Sequence, residues 1–219
     1  MWKLVSNQYD DIVLINVETD EMKLPDDSCA TNCRIMTPAL EKFQVYYENN
    51  EYFHADRMLK ASVNLKRYAI KEKFRLQIIK TREYKNQILE IALKSFDVDR
   101  RFNVNKHCDR NVSEKIIKSW VYSIDEYYVC MYDDIVVGFI GVVESGDDIY
   151  EIKLAAVDEK YRMLGVAVEI YSYVCNECKN KGGKQLYGWI STVNMAVMNL
   201  YSSLGATFSN PSDIFLKQK

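Results

Sequence analysis

From Tyr127 to Val157 the apolar positions come in three dense runs cut by short polar breaks. Tyr127–Tyr132 is rich in aromatic and β-branched residues, Asp133-Asp134 interrupts it, and Ile135–Val143 runs back. Ser145-Gly146-Asp147-Asp148 breaks the pattern again, and Ile149–Val157 returns. Runs of this length joined by tight turn residues predict three antiparallel neighbours. Beyond them, Val166, Ala167, Ile170, Tyr171, Val174, Cys175 and Cys178 recur at helical spacing, and Gly182-Gly183 ends that helix. Gln185–Ile190 is the next strand. A strand, helix and strand of this length predict a right-handed crossover and a parallel pair. Asn194 is read as the cap of a helix over Met195–Ser203, Gly205 ends it, and Ile214-Phe215-Leu216 closes the sheet.

The first half of the chain is less regular. Residues 10–18 read as a strand and residues 20–38 as a loop. Phe43–Tyr47 reads as a strand, and the spacing from Tyr52 to Asn64 is helical. Over residues 66–81, Tyr68, Ile70, Phe74, Leu76 and Ile78 alternate like a strand but leave the assignment open. Tyr84 to Phe96 is helical, with Ile88, Leu89, Ile91, Ala92, Leu93 and Phe96 on its apolar stripe. Residues 97–112 form a long polar loop. Ser113 then caps a helix whose inward face carries Ile116, Ile117, Trp120 and Ile124.

Composition narrows the function classes. The chain has 219 residues, 48% of them hydrophobic, which supports a sizeable core in one or two domains. The net charge of −2 and the lack of any Lys/Arg run leave nucleic-acid binding without electrostatic support. No apolar run approaches the ~18 residues of a membrane span, and Met1–Asn7 lacks a secretory h-region, so a cytoplasmic protein is expected. Of the six cysteines, Cys175 and Cys178 form a C-x-x-C. A single such pair gives too few ligands for a closed zinc site, and both lie on a helix's apolar stripe, so reduced core thiols are expected. The two histidines, His54 and His107, are given no catalytic role, and no metal is expected.

The candidate chemistry starts at Arg162-Met163-Leu164-Gly165-Val166-Ala167, directly after the run Ile152–Val157. A helix N-terminus offers unpaired N–H groups and partial positive charge to an anion. Gly165 and Ala167 put no bulk between amide and ligand. The segment is neither Gly-x-Gly-x-x-Gly nor a P-loop. Its pattern, Arg-x-x-Gly-x-(Gly/Ala) after a strand ending in Val, resembles the acetyl-CoA loop of the GCN5-related N-acetyltransferases (GNAT). The order of elements from about Ser113 onward is similar to that family's core.

The resemblance implies a GNAT fold, α/β of the α+β kind, with a mixed and mostly antiparallel sheet and a splayed parallel strand pair. It implies acetyl-CoA as cosubstrate. Backbone groups of Ala155, Ala156 and Val157 would hold the pantetheine amides, and the Arg162–Ala167 loop, through the amides of Met163, Leu164, Gly165, Val166 and Ala167, would hold the diphosphate. Asn194 and Asn199 would line the cofactor arm. The stretch Asn194 to Ala206 is similar to a family segment whose tyrosine protonates the departing thiolate, which points to Tyr201.

A narrower resemblance covers Ile91–Phe96, Arg101-Phe102 and Ile117–Trp120, which are similar to a segment of sugar-amine N-acetyltransferases such as dTDP-fucosamine N-acetyltransferase. There the family's His and Asp are replaced by Asn103 and Asn105, and one residue is inserted before Arg101. It implies a small N-terminal α/β domain over residues 1–82 before an acetyltransferase domain over 83–219. Arg101 and Asn103 become candidate substrate-binding residues, and the acceptor becomes an amino group on a nucleotide-linked deoxy sugar. Glu151 is the candidate general base, with Glu144 as its rival. A protein N-terminus, another small amine, or a non-catalytic acyl-CoA-binding module are the alternatives. A homodimer is left open.

Overall fold

A computed structural model describes residues 2–6, 13–96 and 110–218. They build one ten-stranded mixed sheet in the order β1-β2-β3-β10-β4-β9-β8-β7-β6-β5. Its strands are β1 (Trp2–Ser6), β2 (Val13–Glu18), β3 (Asn32–Pro38), β4 (Phe53–Asn64), β5 (Gln77–Thr81), β6 (Tyr127–Tyr132), β7 (Ile135–Gly146), β8 (Ile149–Val157), β9 (Gln185–Ser191) and β10 (Thr207–Gln218). The helices are α1 (Glu41–Glu48), α2 (Lys85–Phe96), α3 (Arg110–Ser123), α4 (Val166–Asn180) and α5 (Met195–Ser203), with a 3-10 helix at Glu159–Leu164.

The second half follows the pattern read from the sequence. β6, β7 and β8 form the antiparallel meander, and β8 pairs in parallel with β9. On one face of the sheet, Val166, Ile170, Val174, Cys175 and Cys178 of α4 and Tyr201 of α5 share a core with Ala61, Val63, Ile152, Leu186 and Ile190. Each such aliphatic side chain contributes about 1.5–3 kcal/mol on burial. On the other face, α2 and α3 bring Ile88, Ile91, Ala92, Ile117 and Val121 against Val129, Val136, Phe139 and Leu154.

The first half departs from expectation in four places, and the last strand in a fifth. Residues 41–48 are a helix, not a strand, because Phe43 and Tyr47 lie four apart and bury together on one side. Residues 53–64 are a strand, not a helix. β4 lies between β9 and β10, so both its faces are buried in part and strict alternation is lost. The expected loop over 20–38 ends in β3, where Cys33, Ile35 and Met36 are buried. Ser113 is no cap: α3 begins at Arg110, and Ser113 lies buried within it. β10 also does not close an edge but runs between β3 and β4.

The boundary expected at residue 82 does not interrupt the sheet. β4, from before it, pairs with β9 and β10, from after it, and β5 pairs with β6. The irregular chain between β4 and β5 is tied across α4. Asn176 exchanges two hydrogen bonds with the backbone of Lys71, and Lys179 Nζ donates to Tyr68 O.

Candidate active site

β8 and β9 pair only from Ile149/Gln185 to Ile152/Gly188. Past that rung they part, so residues 153–157 and 189–191 leave an open fork. A β-bulge marks the same point. Gly141 faces Leu154 and Val142 faces Ile152, which leaves Lys153 extra on β8. The bulge turns both Ile152 and Ala155 toward the α4 face while Leu154 points to the other.

Tyr201 sits at the crotch of this fork. It is 1% exposed, and a Cβ on Gly188 would stand 2.4 Å from its hydroxyl oxygen. A close approach of this kind is what a lone glycine inside a strand permits. The ring of Tyr171 lies edge-on at 5.5 Å between centroids. Burial, reinforced by the neighbouring Tyr171 phenol, drives the Tyr201 pKa well above the usual tyrosine value. The hydroxyl therefore keeps its proton at neutral pH.

Glu151 lies one rung before the crotch on the opposite face of the sheet. It is 9% exposed, accepts from Tyr187 Oη at 3.0 Å and meets Lys153 Nζ at 2.7 Å. Tyr187 in turn lies within 3.2 Å of Ser145 Oγ. Glu144 is exposed on β7.

At the far end of β8 the chain enters the 3-10 helix, capped by Asp158, whose side chain accepts from Lys160 N. Arg162 Nε donates to Val157 O at 3.3 Å, which fixes the strand end against the loop. Gly165 then takes φ +75°, a conformation L side chains rarely adopt, and opens α4 with no side-chain cap. The leading amides of α4 have no intrahelical acceptor, since the first α-helical bond runs from Glu169 N to Gly165 O. Met163 and Leu164 project into solvent, with Met163 95% exposed.

The chain between β4 and β5 adds cations to this loop. Arg75 Nη2 lies 3.2 Å from where a Gly165 Cβ would be. Glu169, 2% exposed, accepts from Lys71 Nζ at 2.7 Å and from Arg75 N at 2.8 Å. Burial works against the Glu169 charge, but Lys71 and Arg75 outweigh it and hold the carboxyl below its ordinary pKa. With Arg162, the group of four charged side chains is net cationic, as a diphosphate site requires. The uncapped helix end, the bare Cα at 165 and these cations fit the diphosphate of coenzyme A.

Asn194 does cap α5, its Oδ1 accepting from Val197 N, so that oxygen is already engaged. Asn199 is exposed on the same helix, and Ala155, Ala156 and Val157 lie on the open limb of β8. Arg101 and Asn103 fall outside the described residues. Tyr171, Tyr187, Arg75 and Lys71 were not singled out from the sequence. Gly188 carried a signal, a glycine inside an alternating strand. The Lys71 and Arg75 positions depend on a contact with residues about a hundred positions away and had none.

The profile of the Acetyltransferase (GNAT) family matches residues 87–206, more than half of the chain. The chain belongs to that family. It is an N-acetyltransferase, and GNAT enzymes take their acyl group from acyl-CoA.

The GNAT fold recurs in solved structures of low sequence identity. A conserved protein of unknown function from Staphylococcus epidermidis is 15% identical, with a TM-score of 0.67 over 95% of this chain and 84% of that one. A putative GNAT acetyltransferase from Novosphingobium aromaticivorans is 12% identical, with a TM-score of 0.56 over 86% and 74%. A GCN5-related N-acetyltransferase from Sphaerobacter thermophilus is 12% identical, with a TM-score of 0.55 over 85% and 59%. No curated protein matches.

Among the described residues no cluster of three or more His, Cys, Asp or Glu is placed to hold a metal, and no helix is long and apolar enough to cross a membrane. Cys175 and Cys178 are buried and unpaired, and burial pushes both thiols up to about 12, so they remain protonated within the α4 core.

Proposed function

We propose that the enzyme transfers an acetyl group directly from acetyl-CoA to a primary amine, at the fork between β8 and β9. The amine attacks the thioester carbonyl and the sulfur leaves as a thiolate, which needs a proton. Tyr201 supplies that proton. The observation that carries this role is its hydroxyl, buried and protonated, lying against Gly188 at the crotch. Glu151 takes the proton released by the amine, directly or through water, from the opposite face. The amides of residues 163–167, with Arg162 and Arg75, hold the diphosphate, and the open edge of Ala155–Val157 holds the pantetheine arm. Asn194 and Asn199 line that arm from α5.

The resemblance over residues 91–120 supports an amino group of a nucleotide-linked deoxy sugar as the acceptor, with Arg101 and Asn103 toward its phosphates. A small cationic amine is the second reading, favoured by the Glu151 and Asp56 carboxyls on the face opposite α4. A coenzyme A-release assay against amino-sugar nucleotides, small amines and peptides decides between them. Tight coenzyme A binding with no release on any acceptor would sink the catalytic reading.

A further inference from the structure

Asp56 is a buried carboxyl that takes no part in the proton transfers above. It is 4% exposed on β4. Its Oδ1 accepts from Arg57 N at 2.8 Å and from Ser191 Oγ at 2.9 Å. Its Oδ2 has no hydrogen-bond partner among the described residues. The other buried acids among the described residues are each answered by a cation: Glu169 by Lys71, Glu151 by Lys153, and Asp213 by Arg57. Arg57 spends its guanidinium on Asp213, across the sheet from its neighbour Asp56. Lys60, the nearest lysine on that face of β4, places Nζ over the Tyr187 ring at 3.8 Å. A buried carboxyl oxygen without a donor is costly, and a native fold that keeps one calls for a reason.

The position of Asp56 suggests that reason. Ser191 pairs with Met58 and reaches back to Asp56, so the carboxyl lies on the same sheet face as Tyr187 and Glu151. Along β9 the face runs from Tyr187 over Trp189 to Ser191. Ser191 is three residues past the Gly188 crotch, or roughly 10 Å along an extended strand. Ser191, which donates to Asp56, and Trp189, two residues before it on the same strand, are both partly exposed. A carboxyl at one end, a tryptophan face between and the reacting fork at the other match a chain with a cation at its far end.

We propose that Asp56 is an acceptor-binding residue that takes a second ammonium group of the amine substrate, about 10 Å from the amine that is acetylated. The assignment rests on acetyl transfer at the fork and selects, among its acceptors, small diamines. Its test is steady-state coenzyme A release with α,ω-diaminoalkanes of three to ten carbons and the matched monoamines, alongside calorimetry of coenzyme A. Wild-type protein should favour diamines of about seven or eight carbons by on the order of tenfold or more in kcat/KM. In Asp56→Asn that preference should vanish, with the KM for acetyl-CoA and the thermal midpoint held. Diamines used no better than monoamines, or a preference that survives in Asp56→Asn, overturns the assignment while coenzyme A binding keeps the acetyltransferase reading intact. Wild-type protein that fails to bind coenzyme A brings down that reading and the assignment with it.

Discussion

The hydroxyl of Tyr201 lies over Gly188, the last residue of β9 to pair with β8, so closely that no side chain fits between them. The contact places a protonated phenol at the point where the two parallel strands part. It ties the reach of the acid to the absence of a side chain on the strand.

Replacing Tyr201 by Phe keeps the ring in its core and removes the proton. Turnover should fall by about 100-fold or more, while the dissociation constant for coenzyme A, measured by calorimetry, stays within about twofold. Equal turnover in the variant would remove Tyr201 from the reaction.

Gly188→Ala tests the same contact from the other side. The new methyl would stand 2.4 Å from the Tyr201 oxygen and 3.6 Å from Ile152 Cβ. Overpacking of this kind costs about 1–3 kcal/mol. The thermal midpoint should drop and turnover should fall with it, since the ring must leave the crotch. A variant with wild-type kinetics would show that the contact is incidental.

At the other end of the fork, Arg75→Gln should weaken coenzyme A binding by about 5- to 20-fold. Arg75 is largely exposed, so the thermal midpoint should hardly move. Gly165→Ala should weaken binding as well, and should also cost about 1–2 kcal/mol because residue 165 sits at φ +75°. Calorimetry and thermal melts separate the two effects.

Stability should depend on pH at both extremes. Burial raises the pKa of Tyr127, Tyr128, Tyr171 and Tyr201 above the unfolded value of about 10. Their contribution is therefore complete below pH ~10 and is lost as pH rises further. Glu169 and Asp213 are held low despite their burial, by Lys71 and the Arg75 amide in one case and by Arg57 and His54 in the other. Their contribution is present above pH ~4 and fades as pH falls. A thermal midpoint measured from pH 3 to 11 should be flat in the middle and drop at each end. A midpoint that climbs above pH 10 would contradict the burial of these phenols.

What the sequence shows and hides follows from where each partner lies. The meander, α4 and α5 were legible because their partners are close along the chain and their patterns are two-faced. Ile149–Val157 and Met195–Ser203 match to the residue. β4 was misread because it sits in the middle of the sheet, where Met58 faces one side and Ala61 and Val63 the other, all buried. The helix at 41–48 was misread because its Phe, Val and Tyr residues carry strand propensity, while the packing of Phe43 and Tyr47 against Phe215 decides the outcome. Within the site, Gly165 and Tyr201 stand in recognisable local patterns. Asp56 and Arg75 do not, since each acquires its setting from strands or helices far away in sequence.

The central place of β4 has a consequence for how the molecule is made. β4 (Phe53–Asn64) leaves the ribosome well before the two strands that flank it, β9 (Gln185–Ser191) and β10 (Thr207–Gln218). Until they emerge, its two hydrogen-bonding edges have no native partner, the kind of exposed template that invites aggregation. Assembly of the sheet's middle is therefore governed by long-range contacts, which makes for slow folding. The family-matched stretch alone, residues 87–206, would lack β4 and carry a bare edge on β9 in its place.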